Sequence, residues 1–89
     1  MRDVRPSNRF LRDLKRARKR GKNIDKLEAV IDTLVHGVQL LPKHRRHRLV
    51  GTMSGLWECH VEPDWLLIWH ETEEHLVLVR TGTHADLFE

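Results

Sequence analysis

The hydrophobic pattern changes period once, near Pro42, and that single change limits the chain to one fold class. Before it, apolar residues recur at helical spacing. Leu27, Val30, Ile31, Leu34 and Val35 form one stripe, and Phe10, Leu11, Leu14 and Ala17 form another. After it, residues alternate or run together as strands do. Trp57, Cys59 and Val61 alternate with Leu56, Glu58 and His60, which predicts a strand over 56–61 with two different faces. Trp65–Trp69 is almost continuously apolar, the mark of a central strand covered on both sides. Strands are also predicted over 50–53 and 76–80, and MRDVRP reads as a short edge strand closed by Pro6. Helices followed by strands give an α+β fold, two N-terminal helices on a mostly antiparallel sheet of four to five strands. With 89 residues there is room for one core, so 1–89 is a single domain.

Local punctuation supports these boundaries. Ser7 is placed to cap the first helix, since its hydroxyl can accept from a free N–H of the first turn. Gly21 ends that helix, and Gly37 follows the second, whose last turn holds His36. A histidine there meets the unpaired carbonyls of the helix end, so no chemistry is assigned to it.

Charge is divided along the chain. Residues 1–22 carry a net +8 and residues 43–48 a net +4, whereas residues 23–42 sum to −2 and 49–89 to −7. Two separate basic clusters point to a polyanionic partner, most simply nucleic acid. The single cysteine, Cys59, cannot form an intrachain disulfide. No apolar run approaches the roughly 20 residues of a membrane span, and the first residues lack the apolar stretch of a signal peptide. The expected setting is the cytoplasm, with no membrane association.

No glycine-rich phosphate loop is present. Cys59 lies within a predicted strand, where a cysteine is ordinarily a small buried hydrophobe. Histidine is abundant, at seven residues. His44-x-x-His47 and Cys59–His60 match no common zinc spacing, so no metal is assigned. His47, His60 and His84 are far apart in sequence, but strand pairing can bring them to one sheet edge. Histidine suits both the base that takes a proton from a ribose 2′-hydroxyl and the acid that protonates a leaving 5′ oxygen. Asp64 adds a carboxylate that can serve as a base or orient an imidazole. Arg45, Arg46, Arg48 and Arg80 are the cations placed for the phosphate. Trp65 and Phe88 offer rings for an unpaired base, though Trp65 equally suits the core. These residues leave two readings open, an endoribonuclease and a non-catalytic basic RNA- or DNA-binding module.

The strings HVEPDWLLIW and, further on, RTGTHADLF carry a family resemblance. In this order they resemble the YafQ-type toxins of the RelE/ParE superfamily, small ribonucleases of bacterial type II toxin–antitoxin systems. The resemblance spans essentially the whole chain. It implies a RelE-like fold and ribosome-dependent cleavage of messenger RNA in the A site, with no metal and no cofactor. It implies a catalytic set of His47, His60, Asp64 and His84, with Trp65 and Phe88 as substrate contacts. His44 competes with His47 for the histidine of the basic loop. It further implies a cognate antitoxin protein as partner, with operator DNA contacted only through that antitoxin.

Overall fold

The computed structural model describes all 89 residues. The chain runs β1 (Asp3–Pro6), α1 (Asn8–Lys19), α2 (Ile24–Val35), β2 (His47–Arg48), β3 (Trp57–Glu62), β4 (Trp65–Glu71), β5 (His75–Gly82) and α3 (His84–Phe88). The five strands form one sheet in the order β1-β5-β4-β3-β2. The β1–β5 pair is parallel, and the other pairs are antiparallel. The expected α+β arrangement, with helices first and a mostly antiparallel sheet, is the observed one.

Strand β4 is central, and Trp65, Leu66, Leu67, Ile68 and Trp69 are all 0–1% exposed. Its odd-numbered side chains join Cys59 and Val61 of β3 and Leu76 and Leu78 of β5 against the helices. Phe10 and Ala17 of α1 and Leu27, Val30 and Leu34 of α2 close this core. Trp57 packs at its margin, its ring stacked on Trp69. Period-2 alternation then puts Glu58 and His60 on the other sheet face.

Ser7 caps α1 as expected, accepting from the Phe10 N–H, and Gly21 beyond its end adopts φ +77°. His36 Nδ1 lies 2.9 Å from the Asp32 carbonyl oxygen, the end-capping role its position suggested.

Two strand expectations are corrected, and one helix is added. Residues 50–53 are not a strand; the paired segment is His47–Arg48, and Gly51–Met53 is a single 3₁₀ turn entered by Gly51 at φ +73°. Strand β5 runs from His75 to Gly82, beyond both ends of the predicted 76–80. The C-terminal segment is a short helix, α3, opened by a reciprocal cap between Thr83 and Asp86.

The edge of β5 beyond β1 is closed by α1. Asp13, only 6% exposed, accepts from the Thr81 backbone N–H and from both the Nε and NH2 groups of Arg80. A buried carboxylate thus satisfies a strand edge that would otherwise lack a partner.

Candidate active site

On the face opposite the helices, three imidazoles form a row. The His47 and His60 ring centres are 6.5 Å apart, and those of His60 and His84 are 5.8 Å apart. Asp64 completes the group at 2.6 Å from His84 Nδ1. Each comes from a different element: β2, β3, the turn before β4, and the first turn of α3. The four residues expected to converge do so.

Hydrogen bonding distinguishes the rings. His60 Nδ1 is 3.1 Å from the Pro63 carbonyl oxygen, which can only accept. Its Nδ1 therefore carries a proton, and Nε2 is left with no protein partner. His84 Nδ1 faces the Asp64 carboxylate and is likewise the donor, so its Nε2 is also open. Asp64 accepts from the His84 backbone N–H at 2.9 Å as well. These bonds, the backbone one foremost, hold the Asp64 carboxyl below the usual carboxylate range. It is an anion that orients His84, and it is a poor proton acceptor.

His47 differs. Its Nδ1 is 2.8 Å from the Arg45 carbonyl oxygen and its Nε2 3.1 Å from Glu58 Oε1, so neither ring nitrogen is open. His44 is not in the row of rings: its Nδ1 is 2.7 Å from the His60 carbonyl oxygen and steadies that strand.

The α3 helix carries the other end of the site. Asp86 pairs with Arg20 at 2.6 Å, and that guanidinium holds the Asp86 carboxyl well below its ordinary range. A side chain at Gly82 would put its Cβ 2.9 Å from Asp86 Cβ and Oδ2, so α3 docks closely only because residue 82 has none. Phe88 lies four residues after His84, on the same helix face, and is 49% exposed.

The expected substrate contacts divide. Trp65 is 1% exposed with its Nε1 donating to Thr81 Oγ1 at 3.0 Å, so it belongs to the core and offers no stacking face. Arg48 pairs with Trp57 in the β2–β3 register, and alternation sends it to the face opposite His47. Arg46 lies over the same Trp57 ring and pairs with Glu71. Arg80 is committed to Asp13, with its side chain 14% exposed. Arg45 remains beside the site, in the left-handed region at φ 48°.

Cations that sequence reading passed over lie in its place. An open groove of about 730 Å³ runs from His60 and Asp64 past Arg45 and Lys43 to Lys22 and Lys26. Lys22 and Lys26 reach it from the start of α2, a proximity no local spacing encodes; Glu62 pairs with both. No three His, Cys, Asp or Glu side chains are grouped as ligands for one ion.

Residues 2–89 match the family model described as "Bacterial toxin of type II toxin-antitoxin system, YafQ". The chain belongs to the YafQ toxin family. It is 41% identical over 88 residues to the mRNA interferase toxin YafQ of Escherichia coli K12, covering 98% of this chain and 96% of that protein. The toxin in the crystal structure of the E. coli DinJ–YafQ toxin–antitoxin complex superposes with a TM-score of 0.92 at 39% identity, over 99% of this chain and 98% of that one. A metal-bound toxin from Helicobacter pylori superposes with a TM-score of 0.93 at 37% identity, over 99% and 100%.

Proposed function

We propose that this toxin is a ribosome-dependent endoribonuclease that cleaves messenger RNA in the A site by metal-free acid–base chemistry. The observation that carries the mechanism is the pair His60 and His84, 5.8 Å apart, each with Nδ1 engaged and Nε2 open. One Nε2 takes the proton of the ribose 2′-hydroxyl. The freed oxygen attacks phosphorus, and the P–O5′ bond breaks as the other imidazole, arriving protonated, gives its proton to O5′. The products are a 2′,3′-cyclic phosphate and a 5′-hydroxyl. Each role suits imidazole, whose ordinary pKa lies near neutrality. Arg45 and Lys43 stand beside the pair for the phosphate charge, and Phe88 offers a ring to an unpaired base.

The partners follow from the family and the charge. The DinJ–YafQ complex supports a cognate antitoxin, and the family resemblance implies that operator DNA is reached only through that antitoxin. The basic surface of α1 suits ribosomal RNA. No helix is long and apolar enough to cross a membrane; the ribosome-dependent reading itself places the work in the cytoplasm.

End-group analysis of the messenger fragments tests the chemistry. The expected fragments end in a 2′,3′-cyclic phosphate and begin with a 5′-hydroxyl, at an unchanged rate with EDTA and just enough magnesium to keep ribosomes intact. Fragments with 5′-phosphate ends would contradict 2′-hydroxyl attack. A rate that collapses with removal of a transition metal would contradict the metal-free part and favour an ion of the kind held by the H. pylori toxin.

A further inference from the structure

We infer that Glu58 is a positioning residue, which fixes the His47 ring and removes it from proton transfer; this rests on the ribonuclease reading above. His47 and Glu58 are cross-strand partners in the β2–β3 ladder, so their side chains leave the same face. Strand β2 is only two residues long and lies at the sheet edge, so its backbone alone orients His47 weakly. Two contacts make up for this. The Arg45 carbonyl, turned by that residue's left-handed backbone, accepts from Nδ1 at 2.8 Å, and Glu58 Oε1 meets Nε2 at 3.1 Å.

Glu58 is built for that one contact. Its side chain is 7% exposed, and its second oxygen, Oε2, is buried with no partner. All the compensation this carboxyl receives comes from His47. Such a pair is a poor source of stability, because the desolvation of a buried carboxylate offsets the attraction it gains. Its effect is on geometry. Nδ1 must donate to a carbonyl, and Nε2 faces the Glu58 carboxylate at ion-pair distance, so His47 has no nitrogen free for the 2′-hydroxyl. It presents a fixed, polarised ring edge 6.5 Å from His60, suited to holding phosphate charge, while His60 and His84 divide the acid and base roles.

The test uses two variants of the full-length protein. Glu58→Leu removes the acceptor but fills the buried space. Glu58→Gln keeps an acceptor oxygen without the charge. The first measurement is on free toxin: ring-nitrogen chemical shifts of the histidines, which report which nitrogen carries a proton. In Glu58→Leu the His47 Nε2 signal is expected to shift while those of His36 and His70 stay put. An unmoved His47 signal would overturn the inference whatever the activity of the protein. The second is single-turnover cleavage on programmed ribosomes. Glu58→Leu is expected to be as stable as the parent or more so, yet at least about tenfold slower at saturation with unchanged half-saturation, as for removal of an imidazole-orienting carboxylate. Glu58→Gln should recover part of that loss. If Glu58→Leu cleaves at the parent rate, or loses rate only in proportion to lost stability, Glu58 has no positioning role. If the parent does not cleave at all, the ribonuclease reading fails while the ring-nitrogen result stands by itself.

Discussion

Asp64 receives two hydrogen bonds from one residue, the backbone N–H and the ring of His84, and so settles which His84 nitrogen is left open. Asp64→Asn keeps the shape but removes the charge, and its amide group can turn to donate to the ring instead. The saturated cleavage rate is expected to fall by roughly tenfold or more with little change in fold, since a wrongly set tautomer removes the open lone pair. Kinetics beside a thermal melt would check this; a full rate would show that Asp64 orients nothing. Trp65 makes the contrasting case. It follows Asp64 directly and resembles a base-stacking residue in sequence, yet it is buried with its indole N–H satisfied. Trp65→Ala should cost about 3–5 kcal/mol in denaturant unfolding, the range for large-to-small core changes. Unchanged stability would return Trp65 to the surface. The motif HVEPDW drew Trp65 into the candidate site, and the strand period of β4 decided the side chain's role. Arg46, Arg48 and Arg80 were legible as cations, but their directions were not. Alternation turns Arg48 away, and the buried Asp13 that claims Arg80 sits 67 positions away.

Among the elements, the two helices and the central strands were legible because each follows one period over several turns or pairs. The failures were the short pieces. Strand β2 has two residues and α3 has five, too few for a period to register. Helix α3 did carry a signal, the Thr83…Asp86 cap, which sequence reading passed over. That cap is also an acid-sensitive support of α3. The Asp86 carboxyl is held far below its unfolded value, first by Arg20 and then by the Thr83 N–H and Arg16. A depressed carboxyl contributes stability above its unfolded pKa, about 3.9, and the contribution is lost as pH falls below that value. Asp86→Asn should therefore be clearly less stable than the parent at pH 7, with the gap narrowing below about pH 3. Equal gaps at both pH values, from urea unfolding, would exclude the linkage. Gly82→Ala presses on the same joint by overpacking: about 1–3 kcal/mol of stability should be lost and His84 displaced. A crystal structure of that variant with α3 unmoved would contradict the close fit.

Over the whole molecule, the histidine row and the basic helix occupy different surfaces. The histidine row lies on the open sheet face, and Arg9, Arg12, Lys15, Arg18 and Lys19 are exposed along α1. Neutralising three of these should weaken ribosome binding and flatten its salt dependence, because each lost phosphate contact reduces counterion release. The saturated rate should remain near that of the parent. On the other surface, the proposed mechanism has His60 and His84 transfer the protons through their open Nε2 atoms. Single-turnover cleavage of A-site messenger at saturating ribosome, by His60→Ala and His84→Ala, tests it most directly. Each variant is expected to slow the saturated step by about 100-fold or more, with half-saturation nearly unchanged, as for loss of a general acid or base. Either variant cleaving at the parent rate once saturated, with only its affinity reduced, would show that histidine to be a docking residue and overturn the mechanism.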